Sequence, residues 1–319
     1  MNTMLQELHN LGLVPVVKID DAEKAVPLAQ ALIDGGLPCA EVTFRTDDAK
    51  ESIRRMVEAY PQMIVGAGTV LTPAQVDDAL EAGAKFIVSP GFNADVVDYC
   101  LKRDVLVIPG IDSPAGVEQC LARGLTTVKF FPAENSGGIK YINALAGPYG
   151  SVTFMPTGGI NPDNLTDYTT NPHVLACGGT WMVKGDLIEN DRFDEITRLC
   201  QEATSRMLGF RLAHIGINAP NADEAERTAK LICSLFGFDL RDGDSYFCSP
   251  YVEVLKAPYL GTHGHIAIAT IDIDRAVASF MRRGIAFDPD SAKYLPDGRL
   301  NAIYLADEVA GFAVHLVRG

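Results

Sequence analysis

From Val14 to about Gly178 the chain repeats one unit: a short apolar, β-branched run, a turn, then a helical stretch. The runs are Val14–Ile19, Ala40–Phe44, Ile64–Gly68, Phe86–Ser89, Val105–Pro109, Thr127–Phe131, Val152–Pro156 and Val174–Cys177. Between them lie Ala-, Leu- and Glu-rich segments such as Ala22–Asp34 and Pro73–Ala82, the latter opened by Thr72 as N-cap and Pro73 at the first helical position. Strands alternating with helices imply a parallel sheet. Eight such units in under 200 residues predict a compact α/β fold, a (β/α)8 TIM barrel. An open doubly wound sheet needs a glycine-rich turn after its first strand, and here Ile19-Asp20-Asp21 follows instead.

Near Leu208–Arg211, read as a short linker, the pattern changes. The strand Leu212-Ala213-His214-Ile215-Gly216-Ile217 leads into a helix and short strands ending at Tyr251–Leu255. The sequence then restarts at Gly264-His265-Ile266-Ala267-Ile268, with a helix over 274–283 and strands at 301–305 and 312–317. His214 and His265 stand 51 positions apart, which predicts a tandem pair of βαβββ units in a smaller α+β domain. The expected division is 1–207 for the barrel and 211–319 for the second domain.

The 319 residues are 47% hydrophobic and 21% charged, the chemistry of a globular protein. A net charge of −14 disfavours nucleic acid and anionic membranes as partners, and an anionic substrate then needs a local cationic pocket. Seven cysteines without CxxC spacing read as reduced thiols. With no signal-peptide pattern at 1–10 and no apolar run of membrane-spanning length, the expected location is the cytoplasm.

Chemistry in such a barrel belongs at the C-terminal ends of its strands. Strand alternation puts Lys129 on one face with Thr127 and Phe131, inside the barrel if helices cover the other face. An unpaired buried ammonium is costly, and losing the proton relieves that cost. The resulting amine attacks ketones, so a Schiff-base enzyme is expected. On the second strand Glu41, Thr43 and Arg45 share a face, a polar row that needs a ligand if it points inward. Glycines after strands three to five (Gly66, Gly68, Gly91, Gly110) let backbone approach a ligand. Pro156-Thr157-Gly158-Gly159-Ile160 and Gly178-Gly179-Thr180 suggest a phosphate cradle feeding helix N-termini. Only His9 and His173 occur before residue 205, too few for a metal-dependent aldol site.

Val14-Pro15-Val16, Glu41-Val42-Thr43-Phe44-Arg45-Thr46, Gly66-Ala67-Gly68-Thr69-Val70, Ser89-Pro90-Gly91, Lys129-Phe130-Phe131-Pro132-Ala133-Glu134 and Pro156-Thr157-Gly158-Gly159-Ile160 occur in order along residues 5–205. Together they resemble the 2-keto-3-deoxy-6-phosphogluconate / 2-keto-4-hydroxyglutarate aldolase family. The resemblance implies a trimeric class I aldolase without a cofactor. Such an enzyme cleaves the keto-deoxy sugar-acid phosphate to pyruvate and glyceraldehyde 3-phosphate, and in some members 4-hydroxy-2-oxoglutarate to pyruvate and glyoxylate. It assigns Lys129 as the Schiff-base residue and Glu41 as the acid/base group acting through a water. Arg45 and Thr69 would hold the carboxylate, Pro90 and Phe131 would shape the pocket, and Gly158, Gly159, Gly179 and Thr180 would bind phosphate. Many relatives carry serine where Thr180 stands. The alternatives are a hydroxyglutarate aldolase first and foremost, or a barrel that only binds sugar-acid phosphates.

Residues 211–319, and Leu260-Gly261-Thr262-His263-Gly264-His265-Ile266-Ala267 in particular, resemble the vicinal-oxygen-chelate (glyoxalase-like) superfamily. This second resemblance implies a divalent metal, Zn, Ni, Mn or Fe, held by His214, Glu253, His265 and His315. The last is ordinarily a carboxylate. Such a domain is expected to be a metal-dependent isomerase, or else a binding and assembly module.

Overall fold

The computed structural model describes residues 3–319 and divides into two compact units, Met1–Met207 and Leu208–Gly319. The first is an α/β unit of parallel strands: β1 Leu13–Val17, β2 Cys39–Thr43, β3 Ile64–Gly68, β4 Ile87–Val88, β5 Val107–Ile108, β6 Gly110–Ile111, β7 Thr127–Phe130, β8 Thr153–Pro156 and β9 Cys177–Gly179. Most are buried along their whole length, as expected of parallel strands covered on both faces. They form a six-stranded sheet, β5-β4-β3-β2-β1-β9, and a three-stranded sheet, β6-β7-β8. Pro109 alone separates β5 from β6, because proline has no N–H for the ladder. A parallel bridge from Thr157 to Gly178 joins the far edges of the two sheets.

Helices are set by local signals. Thr72 accepts a hydrogen bond from Gln75 N ahead of Pro73–Glu81, and Asn93 accepts from Asp95 N and Val96 N ahead of Ala94–Lys102. The stretch expected as one helix over 22–34 is a 3-10 turn, Ala22–Lys24, then a helix, Ala25–Asp34. The eighth expected strand shifts: Val174 makes only an isolated bridge to Phe154, and the ladder to β1 falls on Cys177–Gly179. Leu8, Leu11, Val14, Phe86, Val88, Ile108 and Met155 sit in one packed core.

The last helix of the first unit, Phe193–Leu208, runs into what was read as linker, leaving 209–210 before β10 Arg211–Asn218. Then come β11 Asp239–Asp242, β12 Ser245–Ser249, β13 Val252–Leu255, β14 Gly264–Thr270, β15 Lys293–Tyr294, β16 Leu300–Tyr304 and β17 Phe312–Arg318. Helices Ala222–Phe236 and Ile273–Arg282 each follow the first strand of a half, so the order strand, helix, three strands occurs twice. One eight-stranded sheet results, β11-β12-β13-β10-β14-β17-β16-β15, with the two leading strands antiparallel neighbours at its middle. Cys248 and Val254 pack with Ala225 and Ala229 of the first helix, so Phe247 and Glu253 point to the opposite face.

Candidate active site and imidazole cluster

β2 and β7 bring together the two residues to which the sequence reading gives the Schiff-base and acid/base roles. Lys129 Nζ lies 2.8 Å from Glu41 Oε1, and the residues are 5% and 0% exposed. The buried amine is therefore not unpaired, contrary to the sequence expectation, and the carboxylate offsets its desolvation. Gly68 on β3 makes the room: a Cβ there would stand 2.3 Å from Glu41 Oε1. Gly68 was read from sequence as clearance for a ligand, but its missing side chain accommodates the protein's own carboxylate. Glu41 Oε2 is buried without a hydrogen-bond partner, as is Thr157 Oγ1 at the end of β8. Buried polar atoms are ordinarily hydrogen-bonded, so both stand out in this interior, as do Ser52 Oγ and Thr204 Oγ1. Sequence reasoning passed over Thr157 because it stands inside a run read for its glycines. Strand alternation puts Thr157 on the face of Met155, and the β7–β8 ladder pairs Met155 with Lys129, a register the sequence alone does not give.

Phe131 follows β7, and the Lys129 ammonium is 5.6 Å from its ring centre. The expected row on β2 is only partly a strand row. Glu41 and Thr43 are buried, but the strand ends at Thr43 and Arg45 is exposed beyond it. Arg45 stays attached to the row because its Nε donates to Thr43 Oγ1 at 3.2 Å. Thr69 follows β3 with φ 55, a left-handed backbone that a β-branched residue adopts only when its surroundings enforce it. Pro90 and Phe131 border a cavity of about 230 Å³ whose wall also includes Gly91, Gly110 and Ile111 but neither Lys129 nor Glu41.

Gly158 and Gly159 have φ 98 and 83, and a Cβ on Gly159 would meet Glu134 Cβ at 2.6 Å. Gly179 is buried and Thr180 exposed. The glycines do not feed helix N-termini directly. A side-chain-capped turn at Asn161 to Asn164 intervenes before helix Leu165–Thr169, and helix Gly185–Glu189 begins later still. Any anion held at these glycines would therefore meet loop amides rather than the first turn of a helix.

In the second unit, His214, His265 and His315 present ring nitrogens that all lie within 4.8 Å of one another. His214 Nε2 and His265 Nε2 are 3.1 Å apart, and both approach Glu253 Oε2, at 3.3 and 3.1 Å. Of the four expected ligands, three imidazoles converge and Glu253 joins two of them. Hydrogen bonds from His214 and then His265 hold the Glu253 carboxyl well below the usual range. Ser245 Oγ donates to its other oxygen at 2.5 Å. Burial, followed by the neighbouring His265 and His214, pushes His315 down to about 3. His315 Nδ1 and Nε2 and His265 Nδ1 are buried without partners. Gly216, the ladder partner of His265, leaves space for that ring, since a Cβ would come within 2.1 Å of Cε1. Tyr304, missed in the sequence, stacks on His315 at 4.4 Å and 14°, and burial pushes its phenol up to about 12.

Parallel strands carrying a buried amine hydrogen-bonded to a carboxylate equip the first unit for carbonyl chemistry through an imine. The chain belongs to the KDPG and KHG aldolase family, whose model matches residues 4–199. Over 202 residues it is 48% identical to the 2-dehydro-3-deoxy-phosphogluconate aldolase of Treponema pallidum, covering 63% of this chain and 96% of that protein. The KHG/KDPG aldolase of Escherichia coli is 44% identical over 190 residues, 60% of this chain and 89% of the relative. Among solved structures, a KDPG aldolase from Legionella pneumophila holding pyruvate as a covalent carbinolamine intermediate is similar at 37% identity and a TM-score of 0.61. That match covers 64% of this chain and 99% of the other. Among the described residues, no helix is long and apolar enough to cross a membrane.

Proposed function

We propose that the first unit is a class I aldolase cleaving 2-keto-3-deoxy-6-phosphogluconate to pyruvate and glyceraldehyde 3-phosphate, and 4-hydroxy-2-oxoglutarate to pyruvate and glyoxylate. The 2.8 Å pairing of buried Lys129 with Glu41 carries this reading. A carboxylate in direct contact can take the ammonium proton as the ketone arrives, leaving the amine free to attack C2. Loss of water from the carbinolamine gives a protonated imine. The C4 hydroxyl then loses its proton, the C3–C4 pair moves toward the iminium nitrogen, and the aldehyde departs. Protonation at C3 and hydrolysis release pyruvate and restore Lys129. Glu41 Oε2, lacking a partner, suits the water or hydroxyl that exchanges this proton. Arg45 and Thr69 hold the carboxylate in this proposal, and Gly158, Gly159, Gly179 and Thr180 hold the phosphate. We read the nine strand segments as a (β/α)8 barrel, with β5 and β6 as one strand, and the assembly as a trimer. The test is borohydride reduction in the presence of pyruvate, which should trap one adduct on Lys129; trapping elsewhere rejects the assignment.

The second unit fits a vicinal-oxygen-chelate-like module, supported by the doubled strand order and the converging imidazoles. Imidazole nitrogens, two of them on His315 buried without partners, are a donor set suited to Zn²⁺, Ni²⁺, Mn²⁺ or Fe²⁺. His214, His265 and His315 would hold the ion, with Glu253 beside the first two. A bound ion would polarise a carbonyl or hydroxyl oxygen, as an isomerase requires. Elemental analysis of protein purified without added metal tests this; a protein devoid of metal that also takes none up on dialysis would favour a binding or assembly role.

A further inference from the structure

Two asparagine side chains converge on one carbonyl in the loop read as the phosphate site. Asn161 Nδ2 and Asn164 Nδ2 each donate to Gly159 O at 3.1 Å. Their oxygens are engaged as well: Asn164 Oδ1 accepts from Asn161 N, and Asn161 Oδ1 from Asp163 N, both at 2.9 Å. Asn164 is also the N-cap residue of helix Leu165–Thr169, a position where asparagine ordinarily accepts from the free amides of the first turn. Here it makes no capping hydrogen bond and turns back to Gly159 instead.

A tight turn whose side chains steady a surface loop is the simpler account. Two observations go beyond it. Gly159 is exposed, and water can serve an exposed carbonyl, so a pair of amides there acts on the orientation of the peptide. The two preceding carbonyls are tied back in the same way, Thr157 O by Ala133 N at 2.8 Å and Gly158 O by Glu134 N at 3.1 Å. In a planar trans peptide the N–H points opposite to the C=O. With the Gly158 and Gly159 carbonyls held by protein donors, the N–H groups of Gly159 and Ile160 are turned the other way. Neither donates to a protein acceptor among the described residues. Successive free amides in a loop bent by two glycines at positive φ suit an anion.

We propose that Asn161 and Asn164 are positioning residues that hold the Gly159–Ile160 peptide in its anion-facing orientation, and so set the preference for phosphorylated over dicarboxylic ketols. The inference rests on reading Gly158 and Gly159 as phosphate-binding. The two substrates differ in where the second anion sits. In 2-keto-3-deoxy-6-phosphogluconate the phosphate hangs on C6, well beyond the C4 hydroxyl. In 4-hydroxy-2-oxoglutarate the second carboxylate adjoins C4. Both ketols place C2 at Lys129, but only the longer one carries its charge to a loop past the end of β8. The asparagines therefore bear on one substrate and not on the other.

The experiment compares kcat and KM of the full chain for the two ketols in wild type, Asn161→Ala, Asn164→Ala and the double variant. In the double variant KM for the phosphorylated ketol should rise by about tenfold, as for weakening one charge-assisted hydrogen bond, with the single variants between. For 4-hydroxy-2-oxoglutarate kcat/KM should move by less than about twofold, because no interaction with that ketol is removed. Borohydride trapping of pyruvate on Lys129 should keep its rate and reports that the variants are folded. Each single variant retains one of the two bonds to Gly159 O, so a loop that collapses in the double variant is still read in the singles. Parallel losses on both ketols in the single variants would make the asparagines a structural brace and overturn the proposal. An unchanged KM for the phosphorylated ketol in the double variant overturns it too, and leaves the phosphate reading standing. A wild-type protein that traps pyruvate on Lys129 without cleaving the phosphorylated ketol removes the phosphate reading itself, and this inference with it.

Discussion

In the first unit Gly68 clears space for a carboxylate, and in the second Gly216 clears space for an imidazole. The two buried groups then meet different company. Glu41 faces an ammonium of opposite charge, so the pair settles its own electrostatics within one hydrogen bond. His265 faces two more imidazoles, which cannot neutralise one another, and Glu253 serves only two of the three. In the first site Lys129 and Glu41 partner each other directly, whereas in the second His315 Nδ1 and Nε2 and His265 Nδ1 stay buried without partners. On the proposed reading, burial of polar groups then has two meanings in one chain: a reagent in one unit, a receptacle in the other.

The sharpest way to break this contrast is Lys129→Ala. Aldol cleavage should fall by at least ~10³-fold, as for loss of a covalent nucleophile, with metal content unchanged. Residual turnover near wild type would show that the pair is only structural. Glu41→Gln should slow cleavage by about 10²-fold and slow borohydride trapping on Lys129 as well, since the same carboxylate unloads the amine. Trapping at the wild-type rate would confine Glu41 to the C4 hydroxyl proton. His265→Ala should reduce metal retention by at least ~10²-fold without altering aldol turnover, read by elemental analysis beside the coupled assay. Gly68→Ala and Gly216→Ala form a matched pair. Each should destabilise its own unit by about 1–3 kcal/mol through overpacking. Only Gly68→Ala should slow aldol cleavage, since only there does the added methyl push on a reacting group. Thr157→Val should have the smallest stability effect, a gain of up to ~1 kcal/mol from deleting an unsatisfied hydroxyl, together with a loss of turnover. A variant more stable and equally active would remove Thr157 from the site.

Much of this was legible before any coordinates. Lys129 and Glu41 stood out because charged residues in apolar runs violate strand burial, and alternation assigned their faces. The separation between them was not legible. They lie 88 positions apart, and their approach depends on where the ladders place β2 and β7 and on one missing Cβ at Gly68. Arg45 misled the parity argument because strand alternation ceases where the strand does, and nothing local marks Thr43 as its last residue. The glycine pairs announced turns correctly, but the side-chain-to-backbone hydrogen bonds of Asn161 and Asn164 build a further turn before the helix, which a motif does not show. In the second unit the 51-residue offset identified His214 and His265 as equivalents. Tyr304 carried no such signal, because its role comes from lying across from His315 in the ladder.

The doubled strand order has a further consequence. His214 and Glu253 come from the first half, His265 and His315 from the second, and the halves adjoin along β10 and β14. The cluster is thus a seam, absent from either half alone. On the proposed reading, an ion held there would stitch the duplicated pieces to each other, and its retention would report that both have found their places.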